Sequence, residues 1–439
     1  MKLIRTITTL LTLLLCVATG CQPVQKEIPK QRFSQIDHVI EEEIEKGNLP
    51  GAVVLIGKHN EILYWQAFGN EVIEPFEEPI CRNTIFDLAS LTKPIATATS
   101  IMILRDRKAV ELDDYVGTYL SAFACNGKEE VRIRHLLSHT SGLPAYMNAD
   151  SLKEQFGSPC PEKVIEKICG LEALSKPGEE FRYSCLGYIT LAKIAETVSA
   201  KSIGDFSREN IFARLGMKHT AYNPPDSWEK DVAATQIVDR QLLRGTVHDP
   251  LAKLMGGLSG NAGLFSNAYD LSIYCRMLLN EGIWNGTRIL SPEAVAMLTT
   301  AQAYDRSYGF DVNSSFSSVK GSYAPEKAFC HTGYTGTSIV CDPVSEAFVI
   351  ILTNRIHPSD EGTAKPVRSK VADIVVSSLQ PDKPPVITIG SSHVFFDHRE
   401  SNQPSNILDP LPKIAKRRAS VHAVLVGVDV ALDLPGIRH

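Results

Sequence analysis

The chain has 439 residues, of which 44% are hydrophobic and 22% charged, and its formal net charge is -5 at pH 7. This composition is typical of an exported globular protein of one or two domains with a sizeable core. It offers no basic surface of the kind that binds nucleic acid, so we expect no nucleic-acid partner.

The N-terminal segment has the features of an export signal. Basic residues precede an apolar run at 7–17, which is too short to span a bilayer but fits a signal peptide, so we predict that residues 1–20 are removed. The end of this segment, Ala-Thr-Gly-Cys at 18–21, resembles a bacterial lipobox. Cleavage there would leave Cys21 as a lipidated N-terminus.

The lipobox interpretation has an alternative. Ala18 stands where Leu is usual, so a plain secretory signal is the other possibility. With a lipid at Cys21, the polar residues 21–32 would form a linker that holds the folded part off the membrane. We expect an exported cell-envelope protein, anchored through Cys21 and facing the periplasm or the outside.

The first elements of the folded part are a helix and a hairpin. Apolar residues at helical spacing predict a helix over 36–46. Residues 51–57 and 62–68 have the composition of strands, and the polar residues between them predict a hairpin turn.

Ser90 and Lys93 form a Ser-x-x-Lys pattern at the start of an apolar helix that we expect to reach Leu104. Residues three apart share a helix face, so the Lys93 amine can reach the Ser90 hydroxyl. Pro94 is tolerated in a first turn and places Ser90 near a helix N-terminus, where unpaired N–H groups favour an oxyanion. Taken alone, the pattern also fits a helix cap beside a solvated lysine.

Further motifs follow in order and favour a catalytic serine. They are Thr-Ile-Phe-Asp-Leu-Ala-Ser-Leu-Thr-Lys at 84–93, Ile-Arg-His-Leu-Leu-Ser-His-Thr-Ser-Gly-Leu-Pro at 133–144, Tyr183-Ser184-Cys185 and His331-Thr332-Gly333. Together they closely resemble the conserved motifs of the serine β-lactamase and penicillin-binding protein superfamily, in its class C-like branch. The resemblance extends over about 36–379.

This resemblance implies an α+β fold of the β-lactamase/transpeptidase-like type. Early and late strands would join one antiparallel sheet flanked by helices, and a largely helical second part, about 100–300, would be inserted between them. We therefore expect a serine hydrolase domain over 33–380, with its active site at the junction of the two parts.

The resemblance also implies roles for individual residues. Ser90 would attack a carbonyl and form an acyl-enzyme, while Lys93 and the Tyr183 phenol would move the proton. Free pKa values of about 10 make either group a poor base, so at least one pKa has to be lowered, and which group accepts the serine proton is left open. The backbone N–H groups of Ser90 and Tyr334 would form the oxyanion hole, and Gly333 would leave room for a substrate backbone.

Two positions depart from the family pattern and bear on the substrate. Cys185 replaces an Asn, and a thiol lacks the paired donor and acceptor of an amide. His331 replaces a Lys, so recognition of a substrate carboxylate should weaken above about pH 6.5. Efficient β-lactam hydrolysis is therefore put in doubt. The residues predicted to bind substrate are Cys185, His331, Thr332 and Gly333.

Other chemistry-bearing residues receive structural interpretations. His135 and His139 lie four apart like zinc ligands, but neither the Glu of His-Glu-x-x-His nor a third ligand accompanies them, so we expect no metal and no cofactor. Three further segments are expected to be structural. His248-Asp249 would form hydrogen bonds within the fold, and Asp113-Asp114 resemble a helix-start signal. Residues 256–265 would form a loop that lines the cleft and does not bind phosphate.

Eight of the 10 cysteines remain for the mature fold, because Cys16 lies in the signal and Cys21 is the anchor. An oxidising compartment permits disulfides. Folding the chain about Thr335-Gly336 would place Cys330 opposite Cys341, and a disulfide between them is therefore one hypothesis. Buried free thiols are the preferred interpretation.

The C-terminal part ends in a hairpin, a helix and an unassigned extension. Residues 337–341 and 347–353 predict strands joined by a turn at 342–345, and 363–379 has a helical pattern. The resemblance does not cover residues 381–439, whose role the sequence leaves unknown.

The sequence therefore indicates a cell-envelope serine hydrolase that acts on an ester or amide, with a D-alanyl wall peptide or a small ester favoured. A β-lactamase is the alternative within the same chemistry. A non-catalytic penicillin-binding or wall-binding lipoprotein is the alternative of another class, although a binding module has no need of an activated nucleophile. The expected partner is a small-molecule or peptidoglycan-derived substrate, and the sequence does not indicate the oligomeric state.

Overall fold

A computed structural model describes residues 33–379. The predicted signal peptide 1–20, the linker 21–32 with Cys21, and the extension 381–439 lie outside these residues. Between residues 33 and 379, none of the helices combines the length and the apolar character needed to cross a bilayer.

The described residues contain a large sheet and several two- and three-stranded ones. Their strands are β1 Gly51–Lys58, β2 Glu61–Val72, β3 Glu78–Pro79, β4 Phe86–Asp87, β5 Ala221–Tyr222, β6 Gln236–Val238, β7 Gln241–Leu243, β8 Leu264–Ser266, β9 Ile283–Trp284, β10 Thr287–Arg288, β11 Phe329–Thr332, β12 Ser338–Asp342 and β13 Ala347–Thr353.

Helices surround the large sheet and fill the segment between β4 and β11. The α-helices are α1 Ser34–Glu45, α2 Thr99–Asp106, α3 Val116–Tyr119, α4 Ile133–Leu137, α5 Ala149–Phe156, α6 Pro161–Gly170, α7 Cys185–Ser199, α8 Ile203–Ser207, α9 Ala213–Leu215, α10 Pro250–Leu254, α11 Ala268–Leu279, α12 Pro292–Thr299 and α13 Lys365–Leu379.

The large sheet is antiparallel and joins the two ends of the described chain. Its strand order is β11-β12-β13-β1-β2-β3, so β1 lies between β2 and the late strand β13. Val54 pairs with Ile351 in the register between β1 and β13. The predicted hairpins, β1 with β2 and β12 with β13, are both confirmed.

Strand β1 is apolar on both faces because helices cover both. Val53 faces the core cluster that contains Tyr274 of α11, while its neighbour Val54 faces the cluster that contains Ile40 of α1 and Val371 of α13. Successive side chains of a strand point to opposite faces, so an unbroken apolar run is what a doubly covered strand requires. The predicted α+β architecture with a largely helical inserted part is confirmed.

The helix after the serine motif differs in detail from the prediction. A short 3₁₀ turn at Ala89–Leu91 leads into a π-helix at Lys93–Ala98, which continues as α2 to Asp106. The hydroxyl of Thr99 donates to the carbonyl of Pro94 at 2.9 Å, which satisfies an acceptor within the widened turn. Single π-turns of this kind are frequent at functional sites.

The disulfide hypothesis for Cys330 and Cys341 is wrong. All eight cysteines between residues 33 and 379 are free. The turn at 333–337 is centred on Thr335, so Cys330 pairs with Val340 and Cys341 pairs with Phe329. This offset of one residue directs the two side chains to opposite faces of the sheet, where they join different core clusters.

We predict that both of these thiols alkylate in unfolded, unreduced protein, because strand register keeps them on opposite faces. Peptide mapping by mass spectrometry after alkylation tests this, with a reduced sample as the control. A linked peptide that contains Cys330 and Cys341 would contradict the observed register.

Candidate active site

Ser90 lies at a strained turn that follows strand β4. Ala89 just before it has a φ of 46°, in the left-handed region that non-glycine residues rarely adopt. The carboxylate of Asp87 accepts hydrogen bonds from the backbone N–H groups of Ala89 and His248 at 2.8 and 2.7 Å, and these bonds hold the turn. Burial raises the pKa of Asp87 to about 6, while the two backbone donors oppose this shift. Strain of this kind is concentrated at functional sites.

Lys93 is fully buried, and its ammonium donates to two acceptors. Nζ is 2.9 Å from Ser90 Oγ and 3.0 Å from the carbonyl oxygen of Asn261. Burial disfavours the positive charge of the Lys93 ammonium, but the electrostatic effects of Cys185 and Tyr183 favour this charge. The pKa of Lys93 is raised as a result. The expectation of a lowered pKa is therefore not met at Lys93.

Tyr183 lies beside this pair, within a cluster of rings and cations. Lys93 Nζ is 5.0 Å from the centre of the Tyr183 ring. The imidazole of His139 stacks on the ring at 4.3 Å, and the ring of His331 is 6.3 Å away. The structure thus brings Tyr183 and His331, which are distant in the sequence, to the Ser90–Lys93 pair.

Gly333 allows the end of strand β11 to lie against the serine turn. A Cβ at this position would be 2.1 Å from Thr337 Oγ1 and 2.3 Å from the carbonyl oxygen of Leu88, so a side chain does not fit. The hydroxyls of Thr335 and Thr337 donate to the carbonyls of Asp87 and Leu88 at 2.7 and 3.0 Å. These bonds fix the 333–337 turn, and with it the backbone of Tyr334, beside Ser90.

His331 is a buried, neutral side chain. Its Nδ1 is 3.0 Å from the carbonyl oxygen of Thr332, which can only accept, so the proton is on Nδ1 and Nε2 carries a lone pair. Burial, together with the charges of Arg306 and Lys93, holds its pKa well below the usual value. His331 therefore does not supply the cation that the family's Lys would supply.

Cys185 begins helix α7 and lies next to Lys93. Burial raises the pKa of its thiol, while the positive charge of Lys93 opposes this shift. Asn261 Nδ2 in turn donates to Asp249 Oδ1 at 3.1 Å, and the hydroxyl of Tyr146 donates to Asp249 Oδ2 at the same distance. Cys185 is thus part of a polar network on the far side of Lys93.

A cleft of about 460 Å³ opens beside Ser90. Its lining contains Ser90, Tyr183 and the residues from His331 to Tyr334, together with three cationic side chains, those of Arg355, Lys365 and Arg368. Arg355 forms an ion pair with Asp360, and the guanidinium of Arg368 donates to the carbonyl oxygens of Gly333 and Thr337 at 3.0 and 2.9 Å. No ion pair of Lys365 or Arg368 occurs among residues 33–379, so the excess charge of these three side chains is positive.

The other histidines make hydrogen bonds within the fold. Nδ1 of His135 accepts from the backbone of Arg132 at 3.1 Å, and Nδ1 of His139 accepts from that of Ser184 at 2.9 Å. His248 contacts Gln236 through Nε2 at 2.9 Å. In the part of the chain that the structure describes, no three side chains of His, Cys, Asp or Glu are grouped as metal ligands.

The expectation that Asp113-Asp114 starts a helix needs a revision, whereas the expectation for the loop 256–265 does not. Asp113 pairs with Arg134, and Asp114 accepts from Glu111 and Tyr119, so both are structural, but neither caps α3. The loop 256–265 contributes Asn261 to the Lys93 environment, as expected of a loop at the cleft.

Sequence reasoning did not find Asn261, Tyr146 or Arg306 as site residues. Asn261 lies in the glycine-rich loop, and this position was the only signal available. Asp249 was expected to form hydrogen bonds within the fold, and it does so as the cap of helix α10, besides its contacts with Asn261 and Tyr146. The contacts of these residues depend on how distant segments meet, and no local pattern records that.

Comparison with known proteins gives consistent results. The family model described as Beta-lactamase matches residues 36–373. The chain is 31% identical over 376 residues to an Escherichia coli O157:H7 protein named "Putative D-alanyl-D-alanine carboxypeptidase", covering 78% of this chain and 86% of that protein. It is 30% identical over 361 residues to an N-acetylmuramyl-L-alanine amidase of Bacillus subtilis (strain 168), covering 74% and 82%.

Solved structures share the fold. A penicillin-binding protein homologue from Pyrococcus abyssi aligns with a TM-score of 0.63 and 26% identity over 79% of this chain and 76% of that one. EstCE1, a hydrolase with promiscuous acyltransferase activity, aligns with a TM-score of 0.65 and 23% identity over 79% and 99%. The motifs, the fold and these matches lead to one conclusion: the chain belongs to the beta-lactamase family, and it is a serine hydrolase.

Proposed function

We propose that the protein is a cell-envelope hydrolase that forms an acyl-enzyme at Ser90 and cleaves a D-alanyl peptide of the cell wall. The observation that carries the proposal is the 2.9 Å contact between Lys93 Nζ and Ser90 Oγ, beside Tyr183 and at the edge of an open cleft. A non-catalytic binding protein would have no use for a buried ammonium on a serine hydroxyl.

The charge state of Lys93 assigns the proton transfers. Because Lys93 keeps its proton and donates to Ser90, we assign acceptance of the serine proton during attack to the oxygen of Tyr183, which has to be deprotonated for this step. The backbone N–H groups of Ser90 and Tyr334 then bind the oxyanion, each contributing roughly 2.7–4 kcal/mol. Tyr183 returns the proton to the leaving group. Water then attacks the acyl-enzyme, Tyr183 accepts a proton from the water, and this proton passes to Ser90 as the acyl group is released.

The cleft supports a substrate with a negatively charged leaving group. His331 is neutral, but Lys365 at the cleft is an exposed cation without an ion pair in the described part of the chain, and the Arg368 guanidinium, which donates to the carbonyls of Gly333 and Thr337, adds positive charge beside it. A carboxylate on the leaving group would thus be bound by helix α13 and not by position 331. The relatives named carboxypeptidase and amidase agree with a wall-derived peptide.

A small ester is the second candidate substrate, because a neutral His331 does not select for a negative charge on the leaving group. A β-lactam is less favoured, since Cys185 lies against Lys93 and offers no amide to the substrate. The cell-envelope location rests on the signal-like residues 1–20 and on Cys21 as the proposed lipid anchor.

Substitution Ser90→Ala should abolish acylation and lower hydrolysis of an activated ester and of a D-alanyl-D-alanine peptide by about 10³-fold or more, because the nucleophile is lost. Intact mass after incubation with a fluorescent penicillin, together with both turnover assays, tests this. Ser151→Ala, on the exposed surface of α5, is the control and should behave like the wild type. An adduct that persists in Ser90→Ala would refute the proposal.

Substitution Gly333→Ala should lower kcat by about 10²-fold, because its Cβ would push the Tyr334 backbone away from Ser90. Gly170→Ala at the end of α6 is the matched control, since a Cβ there meets nothing within 4 Å. Steady-state kinetics and thermal unfolding of both variants separate catalysis from stability. Unchanged kcat in a folded Gly333→Ala variant would show that this strand does not supply an oxyanion donor.

Substitution Lys365→Gln should raise KM for a peptide with a free C-terminal carboxylate by about five- to tenfold, and should leave KM for a neutral ester unchanged. The exposed Lys370 lies on the same helix near Glu42 and Glu43, so Lys370→Gln is the control. Equal changes in KM for the peptide and for the neutral ester would mean that Lys365 does not bind the substrate carboxylate.

A further inference from the structure

Arg306 is a buried cation beside Tyr183 that belongs to none of the sequence motifs. Its side chain is 1% exposed. The guanidinium carbon is 5.6 Å from the centre of the Tyr183 ring, 5.2 Å from that of Phe181 and 5.9 Å from that of Phe316. The guanidinium thus occupies an aromatic cage of which Tyr183 forms one side.

The position of Arg306 is fixed by its partner and by the sheet. Its guanidinium forms an ion pair with Asp311, which also accepts from the hydroxyl of Ser314. The backbone of Asp311 exchanges two hydrogen bonds with Cys330 of strand β11, at 2.8 and 2.9 Å. Arg306 is therefore held next to His331, the residue that follows Cys330 on this strand.

His331 and His139 do not provide positive charge at this place. Burial is the main cause that holds the pKa of each well below the usual value, and Arg306 is the next. A guanidinium, in contrast, stays protonated throughout the working pH range. Lys93 and Arg306 are thus the two side chains that carry positive charge close to Tyr183 among the residues from 33 to 379.

We propose that Arg306 is a positioning residue that supplies, from within the aromatic cage, the positive charge that His331 does not supply, and that it thereby favours the Tyr183 phenolate beside Ser90. The inference rests on the proposed function, in which Tyr183 accepts the serine proton. A cation placed near an aromatic ring and its oxygen stabilises the anionic form, most strongly where water is excluded.

The titratable and charged groups close to Tyr183 come from five segments. Lys93 approaches from the π-helix, His139 from the turn after α4, Tyr188 from helix α7, Arg306 from the loop before β11, and His331 from β11 itself. Asp311 lies behind Arg306 and partly offsets its charge. The two members of this ion pair should therefore affect Tyr183 with opposite signs.

Two variants test these opposite signs. Arg306→Met combined with Asp311→Asn removes the cation without leaving a buried unpaired carboxylate. We expect the acid limb of its kcat/KM profile for p-nitrophenyl acetate to move to higher pH by roughly 0.5–1 unit. Asp311→Asn alone leaves the cation unopposed, so its acid limb should move to lower pH. Arg306→Lys, which keeps the charge, should stay close to the wild type.

A second measurement does not depend on turnover. The ionisation of Tyr183 is followed by tyrosinate absorbance, as the difference between each protein and its Tyr183→Phe counterpart. It should move in the same directions as the acid limb. If the double variant does not fold, Asp311→Asn still has to show its shift.

The outcomes separate this inference from the proposed function. Unmoved acid limbs and tyrosinate titrations in folded variants would overturn the role of Arg306, as would an equal loss of rate at every pH, which indicates a purely structural residue. Wild-type turnover that does not depend on Ser90 would instead overturn the proposed function, while the tyrosinate titration would still decide whether Arg306 favours the phenolate.

Discussion

The active site depends on one contact, between the 333–337 turn and the backbone just before Ser90. Two threonine hydroxyls donate to the carbonyls of Asp87 and Leu88, and the absence of a side chain at Gly333 allows this approach. The two segments come from opposite ends of the folded chain. β11 belongs to the large sheet, whereas β4, which leads to Ser90, pairs with β8 in a separate three-stranded sheet, so these hydrogen bonds join the two sheets at Ser90.

Burial controls the chemistry of the groups around Ser90. Charge is costly in a poorly solvated interior, and the site responds by keeping His139 and His331 neutral while Lys93 and Arg306 remain cations with specific partners. The polar side chains near the nucleophile are thereby divided into permanent cations and neutral rings. Such an arrangement keeps the charge pattern constant over a wide pH range.

The two departures from the family pattern have different consequences in three dimensions. Cys185 lies in a network with Lys93, Asn261 and Asp249, so its replacement of Asn changes the surroundings of the lysine as well as the substrate site. His331 remains on the cleft wall but without charge. Lys365 and Arg368 of α13 add positive charge to the cleft lining, so we expect an anion to bind near α13 and not at position 331.

Local pattern was enough to predict much of the fold and the contact between Ser90 and Lys93. Alternation and composition identified both hairpins and the helices α1 and α13, because strand and helix periodicity depend on near neighbours in the chain. The spacing of Ser90 and Lys93 predicted their contact for the same reason. The ordered motifs identified the family, and with it the α+β architecture that the structure confirms.

Tertiary structure alone decided the features that depend on distant segments. The register of β11 against β12 differs by one residue from the expectation, which sends Cys330 and Cys341 to opposite faces. Arg306 and Asn261 reach the site because separate loops converge on the sheet and on Lys93. The sequence by itself therefore determined the contact between Ser90 and Lys93, the family and the hairpins and terminal helices of the fold, since these are local or cumulative signals. The charge state of His331 and the partners of Lys93 and Tyr183 depended on burial and on three-dimensional proximity, which the linear pattern does not encode.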